Sequence, residues 1–169
     1  MIGKTLAKIA AEKKESPVEA ALEIVRRGGA GVASFNMSEG DIENFMRQDW
    51  VMTGSDGSEG HPRKYGTFPR KLRVYVNEKK IVSLASAVHS SSGLTAQALH
   101  LSDRGLLRQG YFADVIAFDA AKIADRSTYE HPDLLAAGMK YVIVAGKVAV
   151  DDGKYTGVLA GRALTRANR

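Results

Sequence analysis

The chain has no cysteine among its 169 residues, which excludes disulfides and thiolate metal sites within it. Proline is scarce, four residues against 17 glycines, so turns and helix ends must be read chiefly from glycine. No apolar run approaches the roughly 20 residues a bilayer span needs. The stretch from Met1 to Glu15 is charged and amphipathic, without the apolar centre of a signal peptide. A single basic tract is also missing. The net charge is +5, but Lys13-Lys14, Arg26-Arg27, Arg70-Lys71 and Lys79-Lys80 stay apart, with no aromatics interleaved for base stacking. These absences predict a soluble, cytoplasmic protein with no membrane and no nucleic-acid partner. What is present, 44% hydrophobic and 25% charged residues, is ordinary for a globular chain of one domain or one and a fraction.

Helix and strand signals alternate over the first hundred residues. Leu6, Ile9 and Ala10 fall at helical spacing. Ser16-Pro17 with Glu19 predicts an N-cap and first turn, opening a helix to about Arg27 with Val18, Ala21, Leu22 and Val25 on one face. Gly31 to Phe35 is a strand candidate. Ser38 with Asp41 opens a helix carrying Ile42, Phe45 and Met46, and Val51 to Thr53 is the next strand candidate. Pro69 is expected to start a helix through Val76, with Leu72, Tyr75 and Val76 inward. Helical pieces follow over 82–89 and 94–99. Such alternation is the pattern of parallel α/β units.

After about Ser102 the apolar period falls from 3.6 to 2. Tyr111 to Phe118 reads as a strand, and Tyr141 to Val150 as a hairpin turning at Ala145-Gly146, ended by Asp151-Asp152-Gly153. The predicted fold class is α/β in two parts, a β/α (TIM-type) barrel end over residues 1–101 and a small β unit over 102–169. Two parallel strands cannot close a barrel of eight, and four short strands cannot make a sandwich with both faces buried. Each half therefore reads as the end of something larger.

Chemistry concentrates in one place. Val51-Met52-Thr53 runs into Gly54-Ser55-Asp56-Gly57, and His61-Pro62-Arg63 follows. In a β/α barrel, a polar residue just past a strand's C-terminal end stands at the mouth, where the reaction takes place. Asp56 there can act as a general base, or it can simply cap the turn. Arg63 offers a planar fork for a carboxylate, or a surface ion pair with Glu59. His61 is read as organising the loop. His89, His100 and His131 form no metal-ligand pair at helical or strand spacing, so no metal ligand is assigned to any residue of this chain. Asp114 interrupts an apolar strand and is expected to fix a turn or to pair with Arg104 or Arg108.

These stretches resemble the C-terminal part of the N-acyl-D-amino-acid deacylase (D-aminoacylase) group of the amidohydrolase superfamily. The resemblance rests on Gly3 to Leu6, Met37-Ser38-Glu39, Val51 to Gly57, His61-Pro62-Arg63 and Tyr65 to Arg70. It continues through Asp103 to Leu107, Gly110 to Asp114, Tyr141 to Gly153, Thr156-Gly157 and Gly161-Arg162. It implies a zinc-dependent hydrolase of N-acylated D-amino acids, a β/α barrel joined to a β-sandwich, and metal ligands earlier in the barrel than Met1. It gives Asp56 the place of the general base and Arg63 that of the grip on the substrate α-carboxylate, with His61 as a further substrate-side residue. The loop 57–60 is shorter than in many relatives, which leaves the preferred substrate side chain open, and Ala145-Gly146 replaces the usual Asn-Gly.

The expectation is thus the C-terminal fragment of such an enzyme, inactive alone. The alternative is a non-catalytic remnant or assembly subunit that pairs with a chain carrying the metal site. Either way, apolar faces on helices 18–25 and 41–47 and the unpaired edges of 31–35 and 51–54 predict self-association, as a dimer, or capture of the missing N-terminal barrel half.

Overall fold

The computed structural model describes residues 3–164. The chain divides into two compact units, one up to Asn36 and one from Met37 onward. In the first, helices α1 (Leu6–Lys13) and α2 (Pro17–Arg26) pack together and bury Ile9, Ala10 and Ala20. Local signals explain both. The Thr5 hydroxyl accepts from the Lys8 N–H at 3.2 Å, and Lys14 closes α1 in the left-handed conformation, φ 58°. At α2 the capping box forms in full, with the Ser16 hydroxyl accepting from the Glu19 N–H and the Glu19 carboxylate accepting from the Ser16 N–H at 2.9 Å. The face carrying Val18, Leu22 and Val25 lies open to solvent, Val18 at 69% exposure.

In the second unit, α3 (Glu39–Met46) buries no residue. Helix α4 (Arg63–Arg70) continues without a break into a π-helical stretch, Lys71–Glu78, and α5 (Leu84–Ser91) and α6 (Gly93–Ala98) follow. A four-stranded antiparallel meander completes the unit: β1 (Val115–Phe118), β2 (Met139–Val144), β3 (Lys147–Asp151) and β4 (Lys154–Tyr155), in that spatial order. Val74, Tyr75, Ala87, Ala96 and Ile123 form its small apolar core.

The two-residue turns of the meander are encoded by backbone geometry. Ala145 and Gly146 both have positive φ, 49° and 78°, as do Asp152 and Gly153, at 42° and 77°. That is the requirement of the turn whose twist matches antiparallel strands. Asp114 secures the first turn, as its expected turn-fixing role required. Its Oδ1 accepts from the Ala145 N–H at 2.8 Å, while Oδ2 pairs with Arg104. Arg104 in turn stacks on Phe112, 4.2 Å from the ring centroid.

Several sequence expectations are corrected. Neither 31–35 nor 51–53 forms a strand; among the described residues every ladder is antiparallel and lies after Phe112. A strand exists only against a laddered neighbour, and among the described residues neither segment has one. The strand expected from Tyr111 begins only at Val115, because Asp114 spends its side chain on the Ala145 turn. Pro69 does not open a helix but sits inside α4. Proline removes one N–H from the helical ladder, and directly after it the wind widens, with the Lys79 N–H reaching back five residues to the Val74 carbonyl at 2.8 Å. That widening turns Lys71, Val74 and Tyr75 inward, in place of Leu72, Tyr75 and Val76.

Candidate active site

Asp56 stands at the tip of the loop that links 51–54 to α4. Its φ is 45°, a conformation that a short polar side chain tolerates better than most. Gly57 beside it allows a close approach, since a Cβ there would lie 3.1 Å from the Lys64 backbone where the loop folds back on the first turn of α4. The Asp56 carboxylate is 87% exposed, and it meets Arg63, with Nη2 to Oδ2 at 2.9 Å. The two residues singled out from the sequence therefore come together. The ion-pair partner of Arg63 is Asp56 rather than Glu59, which instead faces Lys64 at 3.6 Å. The Arg63 side chain is 38% exposed, yet its Nε is buried with no hydrogen-bond partner. The planar guanidinium donates to the Asp56 carboxylate through Nη2, the fork geometry that suits carboxylate binding.

His61 organises this loop, as expected. Its Nδ1 accepts from the Arg63 N–H at 3.1 Å, which leaves the proton on Nε2, facing the Tyr129 hydroxyl at 3.4 Å. The two rings meet edge to face, centroids 5.2 Å apart. Burial, and the Arg63 charge beside it, push the His61 pKa down against the opposing pull of Asp56, so the ring stays neutral at pH 7.

The seat of the loop comes from a stretch with no motif. Ser127 donates to the Pro62 carbonyl at 2.8 Å, and a Cβ on Gly66 would lie 2.6 Å from that hydroxyl. Asp125 binds Arg73 Nε at 2.7 Å and faces Arg70 at 3.7 Å, locking the far end of α4 to the same segment. Asp125, Ser127 and Tyr129 were not foreseen, and the only available signal was their spacing of two, which turns alternate side chains to one side. Lys71 was also missed, one of three basic residues, with Arg70 and Arg73, in a stretch whose apolar pattern pointed elsewhere.

Among the described residues, no three His, Cys, Asp or Glu side chains cluster as a metal ion requires. The site thus consists of an exposed carboxylate, a half-buried guanidinium with an unspent donor, and a neutral imidazole that fixes the backbone between them.

The comparisons bear on this arrangement. Residues 1–150 match the model of the Amidohydrolase family. A D-aminoacylase of Alcaligenes xylosoxydans xylosoxydans is 39% identical over 168 residues, covering 97% of this chain and 34% of that protein. An N-acyl-D-glutamate deacylase of the same organism is 38% identical over 85% of this chain and 30% of its own length. A crystal structure of D-aminoacylase superposes with a TM-score of 0.88 at 39% identity, over 97% of this chain and 35% of that one. The N-acyl-D-glutamate deacylase of Bordetella bronchiseptica, solved with zinc and a phosphonate mimic of the tetrahedral intermediate, gives 0.81 at 34% identity, over 94% and 35%. The chain spans about a third of the length of these relatives. With its family model matched over 150 of 169 residues and its α/β fold shared with D-aminoacylase structures, the chain belongs to the amidohydrolase family.

Proposed function

We propose that this chain forms part of a zinc-dependent hydrolase that cleaves the amide of N-acyl-D-amino acids. Residues 1–101 would supply the end of its β/α barrel and 102–169 part of its β-sandwich. The observation that carries the reading is the 2.9 Å meeting of Asp56 and Arg63, a base and a carboxylate grip on one loop, in a chain so similar to a D-aminoacylase. Arg63 holds the substrate α-carboxylate through the guanidinium face that now meets Asp56. Once the substrate engages Arg63, Asp56 is free to take a proton from the attacking water. It returns that proton to the amide nitrogen as the C–N bond breaks, releasing a carboxylic acid and a D-amino acid. His61 keeps the Arg63 backbone in place for both steps.

Zinc does not fit the donor set of the described residues, which hold no ligand cluster, and on this reading its ligands come from the remaining two thirds of the enzyme's length. The catalytic unit accordingly needs more chain, and residues 1–169 alone are inactive. No helix among the described residues is long and apolar enough to cross a membrane; the cytoplasm is the compartment we assign.

The test joins these 169 residues to the portion of the Alcaligenes D-aminoacylase that precedes its matched third. Zinc-dependent hydrolysis of N-acetyl-D-amino acids, read as release of the free D-amino acid, is expected from the joined protein and not from the chain alone. Asp56→Asn should lower its kcat by roughly 10²- to 10⁴-fold. Turnover by the isolated chain with stoichiometric zinc would refute the incompleteness, and an undiminished Asp56→Asn enzyme would refute the base.

A second reading is an assembly subunit without chemistry of its own. It is favoured by the apolar side chains left open, Val32 at 87%, Met37 at 72% and Trp50 at 65% exposure. Under either reading the chain self-associates, most simply as a dimer, and a compact monomer by light scattering would overturn that.

A further inference from the structure

Among the described residues, Lys71 is the one charged side chain that is buried, at 5% exposure. Its Nζ faces no carboxylate; its partners are the Thr53 and Ser90 hydroxyls, each at 2.5 Å, with the Ser91 hydroxyl and the Ala87 carbonyl at 3.3 Å. Three N–H donors thus meet four neutral oxygens contributed by two places in the fold, the 51–54 segment and the last turns of α5. Burial pushes the pKa of this amine down to about 8. An ammonium kept in such a place costs stability, so some other return is to be sought.

That return lies three residues from Asp56. The 51–54 segment has no ladder partner, and it is tied to α5 through Thr53. The Thr53 N–H donates to the Ser90 carbonyl at 3.0 Å, and the Thr53 hydroxyl accepts from Lys71. Ser90 takes part twice, through its carbonyl and its hydroxyl. Beyond Thr53 the backbone turns through Gly54 and Ser55 into the left-handed Asp56, whose carboxylate is held only from the far side, by Arg63. The near side of the loop therefore depends on where Thr53 is pinned.

We propose that Lys71 is a positioning residue for Asp56: its buried amine pins Thr53 to the C-terminal turns of α5 and so fixes where the Gly54-Ser55-Asp56 turn emerges. The inference rests on the reading of Asp56 as the base. It differs from a role in general stability because the effect is local and runs through Thr53. Ser91, held at longer range, contributes less than Ser90.

Hydrogen–deuterium exchange in the 169-residue chain reads this directly. In Lys71→Met, a peptide spanning 51–57 should exchange on the order of tenfold faster or more, while peptides in 139–151 keep their protection. Thr53→Val should give the same local loosening, and the double variant no more than either single one. Val74→Ala, which thins the core next to the same helix, should leave 51–57 relatively unchanged. In the joined enzyme, Lys71→Met should lower kcat on the order of 10²-fold with KM little changed, because the base and not the substrate grip is displaced. Unaltered exchange over 51–57 in both Lys71→Met and Thr53→Val would overturn the proposal. So would uniform loosening of the whole chain matched by Val74→Ala. If Asp56→Asn proves harmless while Lys71→Met still frees 51–57, the reading of the base fails and the pinning stands. If Asp56→Asn abolishes turnover and Lys71→Met leaves kcat intact, the positioning role fails and the base stands.

Discussion

The segments 31–35 and 51–54 and the hairpin 139–151 are all rich in β-prone residues, yet only the hairpin is laddered. Composition does not separate them. The hairpin carries its partner two residues away, across a turn whose positive φ angles are built into Ala145-Gly146, and the pairing closes over a minimal loop. The two earlier segments are flanked in sequence by helices and have, among the described residues, no neighbour strand. A strand is a relation between two stretches of chain, and strand propensity names one side of that relation only. The helical part of the second unit is accordingly held by side chains, around Lys71, Asp125 and Tyr75, and the β part by backbone.

That contrast can be broken from either side. The largest effect is expected at Gly138, which leads into β2 with φ 77°; a Cβ there would sit 2.6 Å from the Lys122 and Ile123 backbone. Gly138→Ala should cost about 3 kcal/mol or more, measured by urea unfolding, since backbone on both sides cannot give way. A cost near zero would mean that the meander does not limit stability.

A smaller effect separates the side-chain half by pH. Lys71 has its pKa lowered in the folded chain to about 8, from an unfolded value near 10.5. The unfolded state then binds more protons between those values, so stability rises from about pH 8 to about pH 10.5. The gain is on the order of 1–3 kcal/mol relative to Lys71→Met, which should lack this rise. Parallel pH curves for the two proteins would show that the buried amine is not strained.

The smallest effect is at Ala145, a non-glycine residue at φ 49°. Ala145→Asn should stabilise by roughly 0.5–1 kcal/mol in thermal unfolding, because Asn accepts this conformation with less strain. A destabilised variant would assign the strain elsewhere.

Legibility followed the range of each interaction. Ser16-Pro17 with Glu19, the Ala145-Gly146 hairpin and the Asp114–Arg104 pairing were readable because cap, turn and partner lie within a few tens of residues and each obeys a local rule. Asp56, His61 and Arg63 were readable as candidates from their loop, although the ion pair between the first and the last was not. The seat formed by Asp125, Ser127 and Tyr129 escaped notice because it lies more than fifty residues away and carries no spacing tied to chemistry. Lys71 escaped for another reason. A helical wheel drawn at 3.6 residues per turn puts Leu72 and Val76 inward in place of Lys71 and Val74, because the wind widens after Pro69.

The left-handed backbone at Asp56 limits how this position can vary over evolution. Chemistry asks for a carboxylate; the turn independently disfavours any branched or bulky side chain. The turn alone would confine this position to Asp, Asn and Gly, so a lack of bulky residues there is weak testimony to catalysis, whereas a strictly kept carboxylate would be strong. Asparagine and glycine keep the turn and remove the acid, which makes them the informative replacements. Alanine or valine would mix a strained loop with a missing base.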